Sequence, residues 1–272
     1  MQEDEYPCCL TIAGSDSGGN AGIQADLRTF HSYSLHGCTV FTALTAQNPS
    51  EVSAILPVHP GFIEAQLKAV LGHYSIRAVK TGMLPTAEAV AAVAGALRLF
   101  NDIPLVVDPV MVATSGAKLG RGDVLPAMLK ELFPIATLVT PNLPEAELLL
   151  QGKISPDNVD DAARCLSQLY HCAILIKGGH GDGGESVDVL CERDRVEHFA
   201  LPRIVNPVSV HGTGCTLSAA IAAELALGAT LPEAVAGAKR FVFDSIAASR
   251  RCGRHAGVLG FAIPRRAGSN KE

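Results

Sequence analysis

Six short apolar runs recur along the chain: "CCLTIAG", "CTVFTALTA", "IRAVKTG", "IPLVVDPVM", "ATLVTPN" and "CAILIKGG". Their apolar residues fall at consecutive rather than strictly alternate positions. A strand with one wet face alternates with period two, whereas a strand covered on both faces does not, and that burial belongs to parallel sheets flanked by helices. Between the runs lie segments of helical periodicity: "AGIQADLRTFHSY", "GFIEAQLKAVLGHY", "TAEAVAAVAGALRLF", "VLPAMLKELF" and "LPEAELLLQG". The pattern predicts an α/β fold: a doubly wound, mostly parallel central sheet flanked by helices in three α/β/α layers. "SPDNVDDAARCLSQLY" predicts a further helix, with Ser155 as N-cap and Pro156 at its first position. After "KGGH" the pattern alternates, and "ESVDVLCERDRVEHFALPRIV" predicts an antiparallel edge hairpin. Helices over 214–227 and 232–249 close the fold. With 272 residues and no repeat or linker-like stretch, one domain over 1–272 is expected, frayed at its N-terminus and over 264–272.

Composition removes several function classes. Net charge is −5, and the basic residues are scattered apart from Arg250, Arg251, Arg265 and Arg266, which read as solvated surface, so nucleic acid is not an expected partner. No apolar run approaches the ~18 residues of a membrane span. The start "MQEDEYPCCLTIAG" is acidic, unlike a secretion signal, so a cytoplasmic location with reduced thiols is expected. Eight cysteines suggest neither disulfides nor structural zinc, because a chain this long builds its own core and contains no C-x-x-C pair.

In doubly wound sheets, ligands lie beyond the carboxyl ends of the strands. Here those loops follow Ala13, Ala46, Lys80, Val107, Thr140 and Ile176. The first, "AGSDSGGNAGIQADL", has Gly14, Gly18, Gly19 and Gly22, which let backbone approach a ligand. It lacks dinucleotide and P-loop spacing and equally fits a turn capped by Asp16. Asp26, in the helix that follows, reads equally as part of a solvated face. Gln47 and Asn48 can donate and accept at a heteroaromatic edge, although Pro49 also fits a surface turn. Asp108, Asn142 and Glu145 offer the oxygen ligands that Mg²⁺ uses beside phosphates; Glu145 alternatively suits a helix first turn. Lys177 supplies a point charge for phosphate.

"HGTGC" opens an alanine-rich helix. Gly212, Thr213, Gly214 and Cys215 present successive amides at a helix N-terminus, a ready anion site, and such a position is expected to lower a thiol pKa below ~8.5. Cys215 is then a nucleophile with His211 as base, a base for an alcohol while the amides hold phosphate, a metal ligand with His180 or His211, or an inert core cysteine.

Taken in order, "TIAGSDSGGNAGIQADL", "ALTAQN", "KTGML", "VVDPVM", "TPNLPEAE", "IKGGH" and "HGTGCTLSAAIA" resemble the ribokinase-like superfamily. Within it, the chain closely resembles the hydroxymethylpyrimidine/phosphomethylpyrimidine kinases of thiamine biosynthesis, from residue 10 to residue 222. The resemblance implies phosphorylation of 4-amino-5-hydroxymethyl-2-methylpyrimidine by Mg-ATP, and then of the monophosphate to the diphosphate. It implies that Gln47 bonds the aminopyrimidine and that Gly14, Ala21, Asp26 and Met83 line its pocket. Gly212, Thr213, Gly214 and Cys215 would form the anion hole, with Cys215 as base and Lys177 steadying the transferring phosphate. Asp108, Asn142 and Glu145 would organise Mg²⁺ and phosphates, with a monovalent cation as a further ion, in a homodimer. The alternatives are a pyridoxal or dual-specificity kinase, a non-catalytic pyrimidine-binding protein, and a cysteine hydrolase with His211 bonded to Cys215. The chain departs from the family pattern at Ser17, Asn20, Pro49, Ser209 and Val210, where Val210 loses a hydroxyl beside the phosphates.

Overall fold

The computed structural model describes residues 6–110, 123–179, 183–253 and 256–261. His180, Arg265, Arg266 and the 264–272 tail lie outside them. In chain order the main elements are β1 (Cys8–Asp16), α1 (Gly22–Ser32), β2 (His36–Asn48), β3 (Glu51–Pro57), α2 (Pro60–Leu71), β4 (Ile76–Thr81), α3 (Ala87–Leu97) and β5 (Leu105–Val107). Then follow α4 (Val124–Ala127), β6 (Leu138–Val139), α5 (Leu143–Leu150), α6 (Val159–Tyr170), β7 (Ala173–Ile176), β8 (Glu185–Glu192) and β9 (Arg195–Pro202). The last are α7 (Thr213–Ala226), α8 (Leu231–Ala247), β10 (Arg250–Cys252) and β11 (Ala256–Val258).

Nine strands form one sheet in the order β3-β2-β1-β4-β5-β6-β7-β8-β9. The six strands from β2 to β7 are parallel, and β3, β8 and β9 add antiparallel edges. The continuous apolar runs have the expected cause. Leu10, Ile12, Val40, Val79, Val107 and Ile174 face a core formed with α2 to α6. Cys9, Ala78, Val106, Leu138 and Leu175 face a second core against α1, α7 and α8. Burying both faces of these strands is the main apolar contribution to stability, at roughly 25 cal/mol per Å² removed from water.

Four local expectations change. β2 does not end in an open loop at Ala46: it runs to Asn48 and folds back as β3. Asn48 Oδ1 accepts the N–H groups of Ser50 and Glu51, so Asn48 is a turn residue. α6 begins at Val159 with Asn158 as N-cap, not at Ser155 and Pro156. Asn158 Oδ1 accepts the Ser155 N–H at 2.7 Å, and the local turn this closes takes the place of the first helical turn. α4 passes into a π-turn over Met128–Leu132 after Pro126, which lacks an N–H for a regular helix. Arg250 and Arg251 are exposed as expected, but they lie on the small antiparallel pair β10–β11.

Candidate active site

A cavity of about 890 Å³ runs along the carboxyl ends of the parallel strands. At one end Gly14, Ala21, Gln47 and Met83 form its wall; at the other, Ile204, Pro207, Val242, Phe243 and Ile246 make it apolar. Asp108, Asn142, Glu145, Lys177 and residues 212–215 line the space between. Of the strand-end residues singled out by the sequence, Gly14, Gln47, Asp108, Asn142, Glu145 and Lys177 therefore share one cavity, whereas Asn48 does not line it.

The acceptor end is built by β1 and its turn. β1 shifts register after Ala13 and continues to Asp16. Asp16 is a capping residue: its carboxylate accepts the N–H groups of Gly18, Asn20 and Ala21, each at 2.8 Å. Ser17 stitches this turn to β2, donating to Gln47 O at 2.9 Å and accepting from Gln47 N at 2.8 Å. A proline at Ser17 would have neither bond, so this departure fixes the backbone that presents Gln47. The Gln47 side chain lines the cavity; its Oε1 meets Thr45 Oγ1 at 3.3 Å, and its Nε2 has no partner among the described residues.

Asp26 does not line the pocket, contrary to both expectations for it. It is fully buried, accepting from Lys80 Nζ at 3.0 and 2.8 Å and from Thr11 Oγ1 at 2.6 Å. A buried carboxylate needs a counter-charge, and here it is Lys80, which does border the cavity. Burial alone would pull the Lys80 ammonium down, but Asp26, then Cys215 and Asp108, raise it above its ordinary value. Lys80 is the residue that sequence reasoning missed. Its signal was a lysine directly after Ala78 and Val79 near the carboxyl end of a strand.

At the cavity centre, Lys177 Nζ donates to Asp108 Oδ1 at 2.9 Å. Thr140 and Ser218 hydroxyls also donate to Asp108, at 3.4 and 3.3 Å. Burial opposes the Lys177 charge, while Asp108 and Glu145 outweigh it and hold the ammonium above its usual value. Asn142 and Glu145 form a capping box for α5, with bonds of 2.9 and 2.8 Å. The helix-turn role of Glu145 and its place on the cavity wall thus coexist. Among the described residues no group of three or more His, Cys, Asp or Glu is arranged to hold a metal. Two carboxylates on one wall nevertheless fit Mg²⁺ carried in with phosphates, since that ion keeps waters and takes only one or two protein carboxylates.

α7 starts at Gly212 without any side-chain cap. Gly212 has φ +84°, and a Cβ there would overlap Asn20 O, so only glycine lets this turn rest on the β1 turn. The N–H groups of Gly212, Gly214 and Cys215 have no acceptor among the described residues. Thr213 differs: its N–H and hydroxyl turn back to Val210 O at 3.4 and 3.0 Å. The anion site therefore rests on three amides rather than four. Ser209 Oγ accepts the His211 N–H at 3.2 Å.

Cys215 overturns one expectation. Burial pushes its thiol up to about 11, despite Lys80 and the Gly22 N–H, which both favour the thiolate. Desolvation of the sulfur outweighs the helix N-terminus and Lys80, and Asp26 and Asp108 add opposing charge. His211 lines the cavity, but neither ring nitrogen has a partner among the described residues, so no His211–Cys215 dyad exists. Its imidazole is pulled down by burial, against the pull of Asp16.

Comparison with known proteins bears on the family and the fold. The family model described as "Phosphomethylpyrimidine kinase" matches residues 16–260. The chain belongs to the phosphomethylpyrimidine kinase family. It is 46% identical over 244 residues to the hydroxymethylpyrimidine/phosphomethylpyrimidine kinase of Rhizobium meliloti, covering 89% of this chain and 91% of that one. It is 48% identical over 253 residues to the thiamine biosynthesis bifunctional protein ThiED of Geobacter sulfurreducens, covering 92% of this chain but only 51% of that protein. Bacillus subtilis pyridoxal kinase, solved as an ADP complex, superposes with a TM-score of 0.87 at 34% identity, covering 95% and 98% of the two chains. These relatives fit the three-layer fold and a phosphotransferase. Among the described residues no helix is long and apolar enough to cross a membrane.

Proposed function

We propose that the protein transfers the γ-phosphoryl group of ATP to the hydroxymethyl group of 4-amino-5-hydroxymethyl-2-methylpyrimidine, and then phosphorylates the monophosphate. The observation that carries this reading is one continuous cavity joining the Gln47 end to the Lys177, Asp108 and Gly212–Cys215 centre. The 46% identity to the Rhizobium kinase favours the pyrimidine as acceptor.

In this mechanism Gln47 pairs with the ring edge, and the β1 turn and Met83 hold its faces. The open amides of Gly212, Gly214 and Cys215 receive the transferring phosphoryl oxygens, and Lys177 neutralises charge that grows on them. Asp108 and Glu145 would hold Mg²⁺ carried in with ATP, which would supply further neutralisation of phosphate charge. Phosphoryl transfer has a loose transition state, so positioning and charge account for most of the rate, and proton removal from the alcohol contributes late. Cys215 accepts that proton at Sγ. The cytoplasm, a homodimeric state and a monovalent cation complete the reading. Light scattering of the purified chain tests the dimer, and a single-chain mass would remove it.

A second reading, pyridoxal phosphorylation, is supported by the similarity to the Bacillus pyridoxal kinase. Both rings carry a hydroxymethyl group, so the acceptor must be tested directly. Purified protein given Mg-ATP with equal pyrimidine and pyridoxal should yield pyrimidine mono- and diphosphate by mass spectrometry. Comparable pyridoxal phosphate would make it a dual-specificity kinase, and pyrimidine binding without any product would make it a binding protein.

Gln47→Ala should weaken pyrimidine affinity by ~1–3 kcal/mol, the usual cost of leaving a buried polar ring edge unpaired. Calorimetric titration reads this directly. Wild-type affinity in that variant would reject the placement of the ring.

A further inference from the structure

The mechanism leaves one buried ion pair on the cavity wall unused. Lys239 on α8 donates to Asp188 on β8 at 2.8 Å, and the two side chains are 8% and 6% exposed. The other Asp188 oxygen accepts the Gly178 N–H at 2.8 Å. Gly178 directly follows Lys177, whose own N–H donates to Pro141 O at 2.9 Å. A side chain at Gly178 would overlap Val187 O, so this turn is pressed against β8 and cannot be moved there. The Lys177 backbone is thus held on one side by the strand end preceding Asn142 and on the other by Asp188.

We propose that Asp188 and Lys239 are positioning residues for Lys177, tying the phosphate-facing turn to α8. This rests on the kinase reading, in which Lys177 meets the transferring phosphate. α8 also carries Val242, Phe243 and Ile246 at the apolar end of the cavity. One directional link therefore joins the wall of the apolar end to the turn that sets the central ammonium. Buried ion pairs add little net stability over apolar residues of equal volume, so what this pair supplies is geometry. It also supplies the acceptor for the half-buried Gly178 N–H.

The experiment uses the full chain and two variants, Lys239→Met and Asp188→Leu/Lys239→Met, the second of which removes the acceptor of the Gly178 N–H. Lys239→Met strands a buried carboxylate and lowers Tm. The double variant is neutral at both positions and should recover Tm to near the wild-type value. Its kcat should stay at least about tenfold below wild type, with the pyrimidine KM within about twofold, and its Gly178 amide should exchange at least about tenfold faster. A double variant with wild-type kcat and wild-type Gly178 exchange would overturn the proposal and leave a purely structural pair. If the wild-type chain phosphorylates no pyrimidine, the kinase reading fails by itself. Gly178 exchange, which needs no turnover, then still decides whether the pair holds the turn.

Discussion

Cys215→Ala is expected to slow phosphoryl transfer by on the order of a hundredfold or more while pyrimidine affinity survives. Alanine retains the amide at that position, so the anion site formed with Gly212 and Gly214 is untouched and the loss reports the sulfur alone. The thiol is pushed up to about 11 by burial, so at neutral pH only a small fraction is thiolate. That fraction is a strong base, and it grows about tenfold per pH unit below the pKa. The sign is therefore fixed: kcat/KM for the pyrimidine should climb with pH from neutrality towards 10, and Cys215→Ala should flatten the climb. Stopped-time assays across that range, with calorimetric pyrimidine binding on both proteins, separate base from binding. An unchanged rate in the variant removes the base assignment. A lowered rate with the climb intact would make the thiol a packing residue of the anion turn.

The architecture was legible because burial on both faces writes itself into strands as unbroken apolar runs. β3 was not, since its residues are largely exposed and its apolar stretch, Ala54, Ile55 and Leu56, is short. It exists because the turn at Asn48 returns the chain to an open sheet edge. Ser155 and Pro156 offered good start chemistry for α6, yet Asn158 won by closing a turn first. The site was legible as a set, because residues at successive strand ends must converge. Individual roles were less so. Asp26 lies among apolar neighbours in sequence, and only the fold, which brings α1 to Lys80 on β4, shows that the lysine neutralises it. The Cys215 shift was misjudged because a helix terminus is visible in sequence while desolvation is not. Lys239 and Asp188 look like ordinary polar positions on a helix and an edge strand, and only their pairing across the cavity wall gives them significance.

The largest stability effect should come from Lys80→Met. Both members of the Asp26–Lys80 pair are fully buried, so removing the ammonium leaves a carboxylate without counter-charge, at a cost of about 3–5 kcal/mol. For a domain this size that is a large share of a total near 5–15 kcal/mol. Asp26→Asn/Lys80→Met should recover most of the loss. Asparagine still accepts from Thr11 Oγ1, which donates to Asp26 Oδ2 at 2.6 Å, and methionine refills much of the lysine volume. Urea unfolding at pH 7 measures both, and a single variant within about 1 kcal/mol of wild type would mean that Asp26 finds water or takes up a proton instead. The folded double variant then isolates the electrostatic role of the pair. Lys80 is the strongest charge favouring the Cys215 thiolate, whereas Asp26 opposes it. Losing both removes a net stabilisation of the base form, so the climb of kcat/KM with pH should begin higher in the double variant than in wild type. A profile that does not move would confine the pair to stability.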